Sequence, residues 1–302
     1  MIDNPPPWPG GARCAAAVTF DVDAESSLFA ALPDTAHRRV SALSYFGYDQ
    51  IAVPRITREY RRLGIEQTFF VPAWCMERYP AVLESILDGG HEIGLHGYIH
   101  ELSYEHSSIE QERDWLGRSL ELAERLTGKR PSGWRAPTYG FSEHTARVLA
   151  EAGFRYDSSL MGDDVPYLLD TPAGSIVELP VDWANDDWPQ YVQSFEFDYY
   201  ATTRAPDRAM EVFRAEVDAA RAYGGLWIGV WHPAVTGRPA RFTRVVALLE
   251  ELLSAGDVWV ATLDEIARHV EGLIARGEWT PRSQRMPPYP GPVPAALDVT
   301  GH

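Results

Sequence analysis

Two aspartates end a short apolar run near the start of the chain, in T-F-D-V-D, which contains Asp21 and Asp23. Because side chains alternate along a strand, both carboxylates point to one face and Val22 points to the other. Two adjacent acids repel each other, and a bound cation relieves that repulsion. The pattern predicts that one of the two is a metal ligand and that the other is an ionised base beside it, whereas a solvated strand end is the simpler alternative.

Histidines form a second chemical pattern, H-E-I-G-L-H-G-Y-I-H, which contains His91, His96 and His100. His96 and His100 are four residues apart and can bind one ion from a single turn, although an H-x-x-x-H alone is unspecific. With one of the two aspartates they make a set of two imidazoles and one carboxylate that leaves positions for water and substrate. Such a set accepts one divalent ion, zinc as the first choice and cobalt, nickel, manganese or iron as alternatives. His91 precedes the strand and is interpreted as a surface or packing residue.

Other polar residues also follow apolar runs. In G-W-R-A-P-T-Y, the guanidinium of Arg135 could hold a carboxylate such as Asp21, and a structural salt bridge is the alternative. In W-I-G-V-W-H-P, His232 could be catalytic or could cap the strand end. The acidic segment D-W-A-N-D-D suggests Trp183 as a wall of the substrate pocket and Asp182 as a carboxylate partner of His232.

The elements that must position these residues alternate in type along the chain. Helical spacing of apolar residues separates the strands and predicts βα units around a mainly parallel sheet. The predicted strands are 15–20, 68–71, 92–95, 133–136, 175–179, 226–230 and 258–261, and the predicted helices are 53–63, 80–87, 109–126, 142–151, 206–223, 240–253 and 263–274. About seven units indicate a single distorted (β/α)7–8 barrel, whose carboxyl edge collects catalytic side chains.

The chain ends and one long connection differ from this pattern. We predict an N-terminal extension at residues 1–14, a barrel domain at 15–276 and a proline-rich tail at 277–302. The tail is expected to be mobile, and packing across a subunit neighbour is the alternative. Residues 25–52 are too long for an ordinary connection and rich in apolar side chains, which predicts a structured flap over the site.

Composition limits the function. The net charge of −16 disfavours nucleic acids and anionic membranes as partners, and leaves a small-molecule substrate. The two cysteines, Cys14 and Cys75, provide no disulfide framework. No signal peptide and no long apolar span is evident, so we expect a cytoplasmic protein.

Taken in order, these motifs resemble those of the polysaccharide deacetylase, or NodB-homology, fold of carbohydrate esterase family four. The resemblance covers residues from about 15 to 270 through T-F-D-V-D, H-G-Y-I-H, R-A-P-T-Y, a weakened V-D-W-A-N-D-D and W-H-P. It implies a hydrolase of non-peptide carbon–nitrogen bonds with Asp21 as base, His232 as general acid and a backbone amide near Tyr139 that holds the oxyanion. It also implies that Asp23, His96 and His100 bind the metal.

The first motif departs from the usual pattern, because Val22 separates the two aspartates. This variant, the long flap and the segment Y-D-S-S-L-M-G-D-D look closest to the intracellular branch of the family, with peptidoglycan-deacetylase-like proteins and cyclic imide hydrolases. That resemblance implies a small amide or cyclic imide as substrate and a homo-oligomer, for example a tetramer. The alternatives are deacetylation of an N-acetylglucosamine-containing sugar or peptidoglycan fragment, a metal-free hydrolase and a non-catalytic metal-binding barrel.

Overall fold

The computed structural model describes residues 2–102, 104–289 and 291. Its strands are β1 Cys14–Asp21, β2 Thr68–Val71, β3 Glu92–Leu95, β4 Gly133–Trp134, β5 Tyr156–Asp157, β6 Tyr167–Thr171, β7 Gly174–Glu178, β8 Gln193–Ser194, β9 Tyr199–Tyr200, β10 Leu226–Trp231, β11 Val258–Val260 and β12 Ser283–Arg285. Its α-helices are α1 Ser26–Ala31, α2 Val40–Phe46, α3 Asp49–Leu63, α4 Ala73–Arg78, α5 Pro80–Leu87, α6 Ile109–Thr127, α7 Thr145–Glu151, α8 Trp188–Tyr191, α9 Pro206–Tyr223, α10 Pro239–Ala255 and α11 Leu263–Arg276.

Ten strands form one sheet in the order β10-β1-β2-β3-β4-β5-β7-β6-β12, and β11 pairs with the start of β1. Every pairing in this sheet is parallel except that of β6 with β7. Helices connect most of the parallel strands, so the predicted α/β class is confirmed. A parallel bridge between Asp186 and Val230 brings the segment after β7 to the other edge of β10. The acidic segment therefore lies beside the strand that precedes His232.

Alternation along β1 divides the core into two faces. Cys14, Ala16, Val18 and Phe20 pack in the larger hydrophobic cluster, and Val22 continues this face beyond the strand. Ala15 and Ala17 belong to the second cluster, on the opposite side of the sheet. Because the period is two, Asp21 and Asp23 continue the face of these small alanines. The strand thus has bulky side chains toward one layer and space for chemistry on the other.

The predicted flap is ordered. Residues 25–52 form α1, a 3₁₀ turn at Ala36–Arg38, α2 and the first turn of α3, which begins four residues earlier than predicted. Leu28, Ala36, Ala42 and Phe46 are buried together in a small cluster of their own. This cluster gives the connection a fixed shape.

The described segments near both ends of the chain pack on the domain, which corrects the prediction of a mobile tail for residues 277–289. Trp279 is buried and its indole donates to the carbonyl of Asn4, while β12 pairs with β6. Trp8, in the predicted extension, is buried near Trp259 and donates to the Gly224 carbonyl. The structured region therefore extends beyond 15–276 at both ends. Residues 290 and 292–302, which include part of the proline-rich run, lie outside the described residues.

Candidate metal and active site

Asp21 and Asp23 lie at the carboxyl end of β1, with 3% and 7% of their surfaces exposed. The next residue, Ala24, has a left-handed backbone conformation with φ of +44°, which is unusual for a residue other than glycine. The carboxylate of Asp49, at the start of α3, accepts the Ala24 N–H at 2.9 Å and stabilises this turn. Burial raises the pKa of Asp49 well above its usual range. The flap helix thus helps to fix the chain directly after Asp23.

His96 and His100 follow β3 in a turn rather than in a helix. The carboxylate of Glu101 accepts the N–H groups of Tyr98 and Ile99, which holds the turn. The Nδ1 atom of His96 lies 2.7 Å from the carbonyl oxygen of Arg135 and acts as its donor, so Nε2 keeps a free lone pair. His100, at the end of this turn, has a left-handed φ of +61°.

Asp23, His96 and His100 converge as a metal site would require. Nε2 of His96 lies 3.5 Å from Oδ1 of Asp23, and Nε2 of His100 lies 3.4 Å from Oδ2. One potential ligand atom from each residue lies within 4.8 Å of the other two. Oδ1 of Asp23 is buried, and no described residue donates a hydrogen bond to it. Two imidazoles, one carboxylate and an unsatisfied buried oxygen fit a divalent cation.

The charges around Asp23 favour its ionised form. Burial alone would raise its pKa, but His100 first, and then His96 and His232, lower it below the usual range. Burial lowers the pKa of His96, which favours the neutral imidazole that metal binding requires. Burial would lower the pKa of His100, but the charge of Asp23 raises it, so His100 must lose its proton when an ion binds. Asp23 and His96 are thus already favoured in the protonation states of metal ligands.

Arg135 lies directly after β4 and is fully buried beside Asp21. Its Nη1 atom is 2.8 Å from Oδ1 of Asp21 and 2.6 Å from the hydroxyl of Thr19. Nε donates to the carbonyl of Ser158, Nη2 donates to its hydroxyl, and the guanidinium lies 4.2 Å from the centre of the Phe70 ring. With every side fixed, Arg135 can hold the Asp21 carboxylate in one orientation.

The Y-D-S-S segment, residues 156–159, contacts Arg135 through Ser158. Asp157 and Glu178 are fully buried, and burial raises the pKa of both. One proton shared between the two carboxyl groups therefore stabilises the pair. The N–H of Ser159 donates to both carboxyl groups, and its hydroxyl accepts the N–H of Ala136 at 2.8 Å. A buried acid pair thus fixes the loop that in turn fixes the arginine.

His232 follows β10, and its partner is Asp187 rather than the predicted Asp182. Oδ1 of Asp187 lies 2.7 Å from Nδ1 of His232, and Oδ2 accepts the His232 backbone N–H at 2.9 Å. Asp182 is exposed and instead accepts the N–H of Ala184. The prediction was wrong because three acids stand in one short segment, and only the bridge of Asp186 to β10 decides which of them meets the histidine.

Three carboxylates surround His232 and change its pKa. Burial would lower its pKa, but the negative charges of Asp187, then Asp23 and Asp186, raise it well above its usual range. Nε2 lies 3.6 Å from Oδ2 of Asp23. A protonated imidazole near neutrality is the state that a general acid needs.

A cavity of about 640 Å³ opens above these groups. Its floor contains Asp21, Asp23, His96, His100 and His232, and its walls are largely aromatic. The rings of Tyr139 and Trp183, both predicted substrate residues, meet edge to face at 4.7 Å. Trp183 is half exposed, which places it at the mouth, and Tyr139 donates its hydroxyl to Asp186 at 2.5 Å. No local sequence pattern selects Asp186, which also faces this cavity.

The flap closes one side of the cavity. Ser27 of α1 contributes to the lining, and the Phe46 ring of α2 stacks at 6.3 Å on Trp188 of the opposite wall. Phe197, in the loop between β8 and β9, meets both rings. The flap and this loop together narrow the entrance.

Two further predicted positions have simple structural surroundings. The Tyr139 N–H donates to the carbonyl of Ala136 and closes a 3₁₀ turn in which Thr138 and Tyr139 have positive φ, so its role toward an oxyanion stays a prediction. His91 is buried against Tyr60 and Phe69, and burial lowers its pKa to about 4. It packs in the core, away from the metal-ligand set.

The fold and the site define the class of protein: a parallel α/β domain with an Asp-His-His set, an arginine-held aspartate and an acid-paired histidine at its carboxyl edge. The profile of the family "Polysaccharide deacetylase" matches residues 35–156. A Mycobacterium smegmatis protein, solved as a candidate polysaccharide deacetylase, is 41% identical with a TM-score of 0.88, over 95% of this chain and 99% of that one. The chain belongs to the polysaccharide deacetylase family, whose members hydrolyse carbon–nitrogen bonds and are in general metal-dependent.

Two other relatives show how far the likeness extends. The peptidoglycan deacetylase of Helicobacter pylori is 33% identical over 164 residues, which are 46% of this chain and 56% of that protein. The chain thus matches little more than half the length of this relative. PuuE allantoinase is 24% identical with a TM-score of 0.79 over 93% of this chain and 96% of its own, a likeness of fold alone. Among the described residues, no helix combines the length and apolar content needed to span a membrane.

Proposed function

We propose that this protein is a metal-dependent hydrolase that cleaves the carbon–nitrogen bond of a small amide or cyclic imide. The observation that carries the proposal is the convergence of three units on one cavity floor: the Asp23, His96 and His100 set, the Asp21–Arg135 pair and the His232–Asp187 pair. A cavity of about 640 Å³ with aromatic walls suits a small molecule better than a polymer chain.

The proposed roles follow from the protonation states. A divalent ion held by Asp23, His96 and His100 would supply Lewis-acid polarisation of the carbonyl and acidify a water molecule. Asp21, oriented by Arg135, takes one proton as the water oxygen forms its bond to the carbonyl carbon. His232 gives its proton to the nitrogen as the carbon–nitrogen bond breaks, because an amide anion is a poor leaving group. The products are a carboxyl group and an amine or, from a ring, one chain carrying a carboxyl and an amide.

Deacetylation of an N-acetylglucosamine-containing sugar or peptidoglycan fragment is the second candidate, favoured by the Helicobacter pylori relative. One panel under defined metal separates the two: succinimide, hydantoin and dihydrouracil against N-acetylglucosamine oligomers and a small acetylated amine. We expect turnover of small imides or amides. Activity on the oligomers alone would contradict the small-substrate proposal.

The charge of Asp187 should set the alkaline limit of activity. Since Asp187 raises the pKa of His232, the Asp187→Asn variant should have a lower His232 pKa and should lose the protonated acid at lower pH. We expect the alkaline limb of kcat/KM, followed from about pH 5 to about pH 10, to move to lower pH. Asp182→Asn, in the same acidic segment, is the matched control, and an unmoved alkaline limb in Asp187→Asn would contradict the assignment.

The flap should contribute to substrate binding rather than to chemistry. Phe46→Ala removes the ring that stacks on Trp188, so the flap loses its contact with the opposite wall. We expect KM to rise about 10-fold, since loss of one aromatic contact costs about 1 kcal/mol or more, with kcat changed less. Steady-state kinetics measures both constants. A fall in kcat with an unchanged KM would instead assign the flap a role in the reaction itself.

A further inference from the structure

Asp186 and Asp187 follow the 3₁₀ turn at Trp183–Asn185, and their carboxylates bind different partners. Both oxygens of Asp187 are occupied by His232, through its ring and its backbone N–H. Asp186 instead lines the cavity with only 3% of its surface exposed. Its oxygens accept one hydrogen bond each, from the hydroxyl of Tyr139 and from the N–H of Trp188. Each oxygen therefore keeps one free lone pair in a buried, aromatic setting.

The proposed reaction leaves Asp186 without a role. Apart from Asp21 and Asp23 on the floor, it is the one carboxylate among the described cavity-lining residues, which include no lysine or arginine. Such a lining opposes an anionic substrate and offers an acceptor to a substrate that donates. Burial raises the pKa of Asp186 to about 7, so at mildly alkaline pH the acceptor form dominates.

The position of Asp186 relative to His232 identifies the donor. A carboxylate oxygen of Asp186, one of Asp187 and a ring nitrogen of His232 all lie within 4.8 Å of one another. Nδ1 of His232 is bonded to Asp187, so the scissile nitrogen receives its proton from Nε2. Asp186 lines the same cavity as His232 and is a hydrogen-bond acceptor that a substrate in this cavity can reach. In a secondary amide or an unsubstituted imide that nitrogen carries one N–H.

We propose that Asp186 is a specificity-determining residue that accepts a hydrogen bond from the N–H of the scissile nitrogen, so that the enzyme selects N–H amides or imides over their N-alkyl counterparts. This inference rests on the proposed carbon–nitrogen hydrolysis, and it applies to imides and acetylated amines alike. An N-methyl group would leave a buried acceptor unpaired, which a site built for a donor discriminates against strongly.

The test compares matched substrates at about pH 8, where an acid of pKa about 7 is mainly ionised. The pairs are succinimide with N-methylsuccinimide, and a small acetylated amine with its N-methyl form. For the wild type we expect kcat/KM to favour the N–H member about 10- to 100-fold. Asp186→Asn, which loses the negative charge and one of the two acceptor oxygens, should reduce this preference to about 3-fold or less. Asp187→Asn is the matched control and should slow both members by a similar factor.

The outcomes separate the two levels of the proposal. Equal use of both members by the wild type, or an unchanged preference in a metal-loaded Asp186→Asn protein, overturns the role of Asp186 and leaves carbon–nitrogen hydrolysis intact. If Asp186→Asn fails to fold, the wild-type preference and Tyr139→Phe decide, since the latter keeps the carboxylate and should keep the preference. No turnover of any N–H substrate in the panel overturns the hydrolase proposal itself.

Discussion

Replacing Asp21 by asparagine is expected to lower kcat by about 10²- to 10⁴-fold, the usual contribution of a general base. Asparagine has nearly the same shape and keeps an oxygen for the guanidinium of Arg135, which lies 2.8 Å from the native carboxylate. It cannot accept a proton. Because Asp23, His96 and His100 are unchanged, the variant should bind metal as the wild type does. Steady-state kinetics together with elemental analysis measures both quantities.

Asp182→Asn provides the matched control for this experiment. It makes the same chemical change at an exposed carboxylate that accepts only a backbone N–H of its own turn. Its kcat should remain within about 2-fold of the wild type, as for most surface substitutions. Wild-type kcat in metal-loaded Asp21→Asn would remove Asp21 from the role of base, and joint loss of metal and activity would make it a ligand instead.

Replacing His96 by alanine should have a still larger effect, abolishing bound metal and turnover together. His96 supplies one of two imidazoles, and its Nε2 atom is oriented by the bond from Nδ1 to the Arg135 carbonyl. A set reduced to Asp23 and His100 has too few ligands for a catalytic site. Elemental analysis of the purified variant and its residual rate check the prediction.

His37→Ala is the control for histidine loss, because His37 is exposed on the flap. It should retain both metal and activity. Metal content equal to wild type in His96→Ala would show that the ion binds elsewhere. The other group of potential ligands among the described residues, Asp186, Asp187 and His232, would then be examined first.

Local periodicity was sufficient to predict the strand that carries the two aspartates. The apolar run before Asp21 and the period of two along β1 give both the strand and the common face of Asp21 and Asp23. The observed strand, Cys14–Asp21, differs from the prediction by one residue at each end. β2 and β3 match their predicted bounds fully. These elements are determined by their own residues.

Elements that depend on distant partners were less predictable. β4 and β5 have only two residues each, too few to show any periodicity, and β12 is a polar segment that becomes a strand because β6 offers an edge. The mutual arrangement of Asp157 and Glu178 likewise arises from the pairing of β5 with β7. No local pattern predicts contacts of this kind.

The site residues also divide into those that local patterns predict and those that depend on contacts between distant segments. Residue type and spacing sufficed to select Asp23, His96 and His100, which the structure brings together. The choice between Asp182 and Asp187 required the register of one bridge to β10, and the buried support from Asp49 required the position of α3. Adjacent acids before a tryptophan, D-D-W, were the available signal, and they did not indicate which acid faces which partner.

The most direct test of the central claim is a metal titration of stripped, folded protein, with hydrolysis of the best panel substrate as the readout. We predict no turnover without metal and a rise that saturates at one ion per chain when zinc, cobalt, nickel, manganese or iron is added. The His96→Ala protein should show no such rise. Full turnover by wild-type protein that elemental analysis finds free of metal would contradict the account.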